Sequence, residues 1–235
     1  MLSAQPLKAF LFDVGGPIVD ESVDNERIIG IIADILTDLT GKHVSPDEVR
    51  AERDKAIRAW SPSGNRAALW KFLKPDRGKF DSAYRELVRG FLDGIEEVAL
   101  VPGVAELIPK LAANFTLALA GNQHSAIKEK LRSTGILEFF KSTEVSEDIG
   151  LEKPDTRFFL AICSRIGIPP EQCCMVGDRL DNDIYPANVL GMRTIWLKAG
   201  PHAVQEPRIP EDEPDETIES LMRIHEIIEK WRRED

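Results

Sequence analysis

The stretch LKAFLFDVGGP occupies residues 7–17 and indicates the fold of the chain around it. It begins with a short, mostly apolar run that ends at Asp13, a pattern typical of a buried parallel β-strand. Gly15, Gly16 and Pro17 follow at once and interrupt regular structure. A carboxylate therefore stands directly after a buried strand, which is where ligands bind in open parallel sheets.

Two further patterns follow this strand. Residues 20–98 show helical periodicity without a convincing strand, which predicts an inserted helical bundle. Residues 99–235 alternate between strands and helices, which predicts a parallel sheet with helices on both faces. We therefore expect an α/β fold with a doubly wound parallel sheet, in which residues 1–19 and 99–235 form a Rossmann-like core domain and residues 20–98 form a helical domain.

Apolar runs between turn residues locate the individual elements of the core. Strands are predicted at residues 7–12, 115–120, 139–145, 173–176 and 194–197, and helices at residues 104–113, 125–134, 155–166, 182–190 and 218–231. Residues 200–214 are rich in proline and acidic residues and are predicted to be a surface segment. Asp13 and Asp178 each follow a strand, so we expect the two carboxylates to lie near one crevice.

Composition narrows the class of protein. Of the 235 residues, 43% are hydrophobic and 30% are charged, as in ordinary globular proteins. The net charge of −10 argues against nonspecific binding to nucleic acid or to an anionic membrane. It is compatible with a small anionic substrate, because one divalent cation can dominate a small site. We find no signal-peptide pattern, disulfide framework or cysteine metal motif, and we expect a cytoplasmic monomer or homodimer.

Three motifs occur in a recognisable order: FDVGGP at residues 12–17, EKPD at residues 152–155 and VGDRLDNDI at residues 176–184. The first partly matches a DxDG(T/V) loop, the second matches a Lys-Pro-Asp motif, and the third closely matches a GDxxxxD motif. Together they resemble the haloacid dehalogenase (HAD) superfamily of hydrolases, in which a helical cap is inserted after the first core strand. The resemblance extends over residues 7–197, and the order and spacing of the motifs make it specific.

The resemblance implies a magnesium-assisted phosphatase. Asp13 would be the nucleophile that forms an aspartyl-phosphate, since a carboxylate can divide one difficult displacement into two easier ones. Lys153 would bind substrate and neutralise charge between the nucleophile and the transferring group. Mg²⁺ would be held by Asp13, the backbone carbonyl of Gly15, Asp178 and, directly or through water, Asp183. The ordinary alternatives are a turn-capping Asp13 and an exposed loop Lys153.

Two glycines depart from the family pattern. In phosphatases of this family an aspartate stands at the position of Gly15. That aspartate protonates the leaving group, and such acid–base help is worth about 10²–10⁴ in rate. We therefore expect weak or atypical activity that favours good leaving groups. Gly121 stands where the family has a phosphate-binding serine or threonine, so we expect the backbone N–H groups of Gly121 and Asn122 to bind substrate instead. His124 is a candidate substitute acid, although a solvated residue at a helix start is the stronger interpretation.

Other reactions stay open. A 2-haloacid dehalogenase also lacks the second aspartate, but such relatives typically work without metal, and the intact Gly177-Asp178 motif argues against that chemistry. A phosphonate hydrolase would need a cap lysine, for which Lys55 and Lys71 are present without a supporting pattern. The third alternative is a degenerate member that binds a metabolite or a partner. The sequence favours a phosphatase acting on a small phosphorylated metabolite.

Overall fold

The structure, a computed structural model, describes residues 6–92 and 98–234. These residues divide into two compact units. The described residues of the α/β unit lie in 6–20, 98–203 and 207–234, and those of the helical unit lie in 21–92 and 204–206. The predicted helical domain also includes residues 93–97, which lie outside the described residues. Within the described residues, no helix combines the length and the apolar character needed to cross a lipid bilayer.

The helical unit is the insertion predicted after the first strand. Its helices are α1 (Ser22–Thr40), α2 (Pro46–Arg58), α3 (Gly64–Leu73) and α4 (Arg77–Leu92). Helix α2 begins at a capping box, in which Glu48 N–H donates to Ser45 Oγ and Ser45 N–H donates to the Glu48 carboxylate. The apolar faces of these helices meet in a separate core, at the centre of which Ile32, Leu36 and Leu69 are fully buried.

The α/β unit contains one sheet of parallel strands, which confirms the predicted doubly wound fold. Its strands are β1 (Ala9–Phe12), β2 (Thr116–Leu119), β3 (Phe140–Ser142), β4 (Cys173–Gly177), β5 (Arg193–Leu197) and β6 (Glu216–Ile218). They lie in the order β3-β2-β1-β4-β5-β6, and each neighbouring pair is parallel. The first strand of the chain therefore lies in the interior of the sheet, which explains its continuous apolar sequence.

Helices cover both faces of this sheet. They are α5 (Val104–Ala112), α6 (Ile127–Ser133), α7 (Ser146–Ile149), α8 (Thr156–Ile166), α9 (Tyr185–Val189) and α10 (Ile224–Glu234). Side chains alternate between the two faces of a strand, so Phe10 and Phe12 of β1 pack into a core with α5 and α10. Ala9 and Leu11 pack on the opposite face with α8.

The carboxyl-terminal part of the chain differs from the prediction. The segment that we predicted to be surface structure is followed by β6, which pairs with β5, and the last helix begins at Ile224 instead of residue 218. Strand β6 has three residues, of which Ile218 alone is buried, so its apolar pattern is too short to recognise. The helix predicted at residues 182–190 is a π-helical turn at Leu180–Ile184 followed by α9.

Candidate active site

The carboxyl ends of β1, β2 and β4 meet at one edge of the sheet. Phe12 of β1 is in register with Leu119 of β2 and with Val176 of β4. Asp13 follows β1 directly, and Asp178 follows β4 directly. The structure therefore brings together two aspartates that are far apart in the sequence, as parallel pairing of their strands requires.

Three carboxylates converge at this edge. Asp13, Asp178 and Asp183 each offer one oxygen, and these oxygens all lie within 4.8 Å of one another. The three residues are 8%, 7% and 0% exposed, respectively. Because buried charges are costly unless opposite charges accompany them, this cluster requires cations.

Lys153 provides one such cation. It is 3% exposed, and its Nζ lies 2.9 Å from Asp13 Oδ1 and 2.6 Å from Asp183 Oδ1. Burial acts to lower the pKa of Lys153, but the charges of Asp13 and Asp183 outweigh this effect and raise the pKa. The side chain is therefore a charged ammonium between two carboxylates, which is not the geometry of an exposed loop lysine.

Asp183 is the most buried of the three carboxylates. Burial raises its pKa to about 6, while the Lys153 ammonium acts to lower the pKa and Asp13 adds to the increase. Its Oδ2 accepts a hydrogen bond from the backbone N–H of Arg179 at 3.0 Å. A Cβ at Gly177 would lie 2.3 Å from the Asp183 carboxyl carbon, so glycine is required there.

The donor set of the cluster fits magnesium. The Lys153 ammonium contacts two of the three carboxylates. The Arg179 guanidinium interacts with Asp178 and Asp183 but is itself paired with a fourth carboxylate, Asp181. The site, which is made of hard oxygen atoms, therefore keeps an excess of negative charge. Mg²⁺ prefers such oxygen ligands. The carbonyl of Gly15 lies on the adjoining buried turn, and its predicted role as a further ligand stays a prediction.

The turn after β1 is shaped by Gly16. Its φ of +86° lies in the left-handed region, and its N–H donates to Val19 O at 3.0 Å. A Cβ at this position would lie 3.0 Å from the carboxyl carbon of Asp178. Glycine is therefore needed for the backbone conformation and for the close approach of the Asp178 carboxylate.

Asn122 holds the backbone of Lys153. Its Oδ1 accepts from Lys153 N–H at 2.8 Å, and its Nδ2 donates to Lys153 O at 2.9 Å. Both ends of the amide thus position the lysine. The predicted contacts of the Gly121 and Asn122 backbone N–H groups with substrate stay predictions.

Val14 explains the absence of a hydroxyl side chain at position 121. A Cβ at Gly121 would lie 2.6 Å from Val14 Cγ2 and 3.0 Å from Val14 Cβ. Val14 is fully buried and has little room to move. Val14 therefore fills the space that serine or threonine would need, a coupling that the sequence analysis missed because the two positions are far apart in the chain.

We expect Gly121→Ser to lower the free energy of unfolding by about 1–3 kcal/mol, because an inserted Cβ must displace Val14. Val14→Ala removes the clashing Cγ2, so the double variant should lose less stability than the two single variants together, by about 0.5–3 kcal/mol. Urea denaturation of the four proteins measures this coupling. Gly30→Ser is a matched control, since a Cβ there would meet nothing within 4 Å. Strictly additive losses would contradict the proposed clash.

A cleft of about 800 Å³ lies on the α/β unit, and its lining includes Lys153. The remaining lining comes from residues 123–124, 146–147, 150–152 and 154–155. His124 lies at the cleft, where its side chain is 76% exposed and its Nε2 is 3.0 Å from Glu147 Oε1. Its Nδ1 accepts from Ala126 N–H at 3.2 Å. These contacts are those of a solvated histidine near a helix start.

The sequence and the geometry of this site can be compared with known proteins. A family model described as haloacid dehalogenase-like hydrolase matches residues 7–191. The chain belongs to this family of hydrolases. The match includes all three motifs and confirms the resemblance inferred from them.

Curated relatives in the family include phosphatases. A glyceraldehyde 3-phosphate phosphatase of Methanopyrus kandleri is 38% identical over 106 residues, which are 45% of this chain and 46% of that protein. A phosphoserine phosphatase of Thermus thermophilus is 30% identical over 173 residues, which are 72% of this chain and 67% of that protein. The chain thus spans about half the length of the first of these relatives and about two thirds of the second.

Solved structures share the fold. The putative HAD-hydrolase YfnB of Bacillus subtilis, solved bound to magnesium, has a TM-score of 0.67 at 23% identity over 95% of this chain and 99% of that chain. A 2-haloacid dehalogenase of Pseudomonas syringae has a TM-score of 0.58 at 23% identity over 96% of this chain and 99% of that chain. Because one fold hosts different reactions, the reaction must be argued from the side chains.

Proposed function

We propose that the protein is a magnesium-dependent phosphatase that acts on a small phosphorylated metabolite through an aspartyl-phosphate at Asp13. The main support is the position of the buried Asp13 carboxylate, 2.9 Å from the Lys153 ammonium and within 4.8 Å of two further carboxylates. The phosphatases among the curated relatives add support.

The proposed reaction has two displacements. A carboxylate oxygen of Asp13 attacks phosphorus, the bond to the leaving oxygen breaks, and an aspartyl-phosphate forms. Water then attacks this intermediate, which releases inorganic phosphate and restores the carboxylate. Lys153 holds a positive charge beside the attacking group and offsets charge that develops during transfer.

A bound magnesium ion fits this chemistry. Oxygen atoms of Asp13, Asp178, Asp183 and the carbonyl of Gly15 are the groups that would hold it. When bound, magnesium supplies positive charge that lowers the repulsion between the phosphate and the nucleophile. Asp183 also receives the Lys153 ammonium at 2.6 Å, so it both orients the lysine and adds to the negative charge of the site.

Asp178→Asn should weaken Mg²⁺ binding strongly, because it replaces a charged ligand with a neutral amide of the same shape. Isothermal titration calorimetry of the metal-free proteins measures this effect. Asp148→Asn is a matched control, since Asp148 pairs with Lys128 at 2.8 Å and is not a member of the carboxylate cluster. Identical isotherms for the parent and Asp178→Asn would remove Asp178 from the metal site.

Gly15 gives the proposed phosphatase a preference for good leaving groups. Glycine has no side chain to protonate a departing alkoxide, so the proton must come from water. Acyl phosphates, anhydrides and aryl phosphates leave without much protonation and should be the better substrates. Alkyl phosphate esters should be slow by about 10²–10⁴ relative to an enzyme with the acid in place.

Gly15→Asp should therefore raise the kcat of an alkyl phosphate ester by about 10²-fold, because it supplies the missing proton donor. The gain should be smaller with an acyl phosphate. Gly15→Asn introduces a side chain of nearly the same size that cannot donate an acidic proton, so it serves as the control. A folded Gly15→Asp protein with no gain over Gly15→Asn would count against this explanation.

A substrate panel tests the proposal as a whole. Alkyl, aryl and acyl phosphates, phosphonates and 2-haloacids are incubated with Mg²⁺ or with a chelator. We expect Mg²⁺-dependent phosphate release that is fastest with acyl and aryl phosphates. Metal-independent chloride release from 2-chloropropionate would favour a dehalogenase, and no turnover of any compound would favour a binding protein. A phosphonate hydrolase has little support, because Lys55 is exposed and paired with Glu52 at 2.6 Å, and Lys71 is exposed.

A further inference from the structure

A buried tryptophan contacts the backbone of one of the proposed metal ligands. Trp196 lies on β5 and is 3% exposed. Its indole Nε1–H donates to the carbonyl oxygen of Asp178 at 2.9 Å. Strand β5 pairs with β4 so that Trp196 is in register with Gly177, and the ring thus reaches the first residue after β4.

The peptide group that Trp196 contacts has a second partner. The carbonyl of Asp178 and the N–H of Arg179 belong to the same planar unit. That N–H donates to Asp183 Oδ2 at 3.0 Å. A single rigid peptide therefore accepts from the indole on one side and donates to a cluster carboxylate on the other.

This chain of hydrogen bonds ends at the Lys153 ammonium, which the proposed mechanism places beside the nucleophile. Asp183 Oδ1 accepts from Lys153 Nζ at 2.6 Å, and the same Nζ lies 2.9 Å from Asp13. Hydrogen bonds in series polarise one another, so the indole strengthens the bond from Arg179 N–H to Asp183. It also fixes the plane of the peptide from which the Asp178 side chain departs.

The neighbours of Trp196 have a different role. Ile195 and Leu197 pack into the core with α5 and α10. Trp196 faces the other side of the sheet, because side chains alternate along a strand. A purely apolar ring would fill the same volume, but it would leave the buried carbonyl of Asp178 without this donor.

We propose that Trp196 is a positioning residue for the carboxylate cluster and acts through the peptide between Asp178 and Arg179. The expected consequence of this role is tighter Mg²⁺ binding, and this part of the inference rests on the proposed function. Groups that orient metal ligands typically raise metal affinity by roughly 10–100-fold. The effect on the backbone does not depend on a metal and can be measured separately.

The test compares Trp196→Phe with Trp231→Phe. Both substitutions replace a buried indole with a phenyl ring. Trp231, however, lies on α10, and its ring is 4.7 Å from the guanidinium of Arg193. In Trp196→Phe the peptide between Asp178 and Arg179 loses the indole hydrogen bond to its carbonyl, although the Arg179 N–H keeps Asp183 as its acceptor. In metal-free protein, amide hydrogen exchange at Arg179 should therefore be about 3–10-fold faster in Trp196→Phe, as expected for the loss of one hydrogen bond from this peptide, and unchanged in Trp231→Phe. Mg²⁺ affinity from calorimetry should fall about 10-fold in Trp196→Phe alone.

The two measurements separate the two proposals. Unchanged exchange at Arg179 in Trp196→Phe would overturn the positioning role whether or not the protein binds Mg²⁺. Failure of the parent protein to bind Mg²⁺ would overturn the metal site, and the exchange experiment would still decide the role of Trp196. If Trp196→Phe does not fold, the parent protein serves instead. Its Trp196 indole resonance should then shift on saturation with Mg²⁺ while that of Trp231 stays in place, and an unshifted Trp196 resonance would overturn the inference.

Discussion

Asp13→Asn should abolish turnover of acyl and aryl phosphates while leaving the fold intact. The amide that replaces the carboxylate is not a nucleophile, so no aspartyl-phosphate can form. Removing a catalytic nucleophile costs on the order of 10⁴–10⁶ in kcat, and we expect a loss in this range. Steady-state phosphate release at saturating Mg²⁺ measures it.

The fold should survive because the new amide keeps the shape of the Asp13 side chain and Lys153 keeps its contact with Asp183 at 2.6 Å. Circular dichroism and thermal denaturation check this point. Asp148→Asn is again the control, since it changes a carboxylate paired with Lys128 and not the cluster. Turnover by folded Asp13→Asn at a rate close to that of the parent would eliminate Asp13 as the nucleophile.

Lys153→Met should have the largest effect on stability. The substitution leaves two carboxylates, Asp13 and Asp183, buried without the ammonium that contacts both. Breaking a buried ion pair by removing one partner costs about 3–5 kcal/mol, and we expect a loss of this size in the free energy of unfolding. Urea denaturation in the presence of a chelator gives the value.

Mg²⁺ should restore part of this loss, because the site without the ammonium carries more negative charge and should bind the cation more tightly than the parent does, and tighter binding to the folded state stabilises it more. Lys128→Met is the matched control: its ion pair with Asp148 is partly exposed, and its loss should cost about 1 kcal/mol or less. Equal losses for the two lysine variants would mean that the contacts of Lys153 contribute no more than a surface ion pair.

The two glycine departures have different consequences. At position 121 the structure offers no space for a side chain, because the buried Val14 side chain fills it. The absence of a hydroxyl there therefore follows from packing. At position 15 glycine has no side chain, so in the proposed mechanism this position of the turn beside Asp13 provides no proton donor. The proposed phosphatase should therefore discriminate between substrates by the acidity of the leaving group, a property that the substrate panel measures directly.

Much of the site could be predicted from sequence. The apolar run before Asp13 and the run before Asp178 marked two strands, and parallel pairing required their ends to meet. The resemblance of residues 152–155 to the lysine motif of the family selected Lys153 among many lysines. The strand ends lie where they were predicted, because that prediction rests on local apolar patterns and on a general rule about parallel sheets. The catalytic and metal-binding roles of these residues stay proposals.

The sequence by itself determined the class of fold, the order of most of its elements and, through the resemblance of its motifs to the family, the identity of the carboxylates and the lysine that meet. Only the tertiary structure decided that Val14 excludes a side chain at position 121, that the Asn122 amide holds Lys153, and that Trp196 donates to Asp178. Each of these contacts joins residues from separate elements and depends on distances of a few tenths of an ångström. Such distances follow from how the elements pack, because interiors are close-packed and directional hydrogen bonds form only after packing brings the groups together.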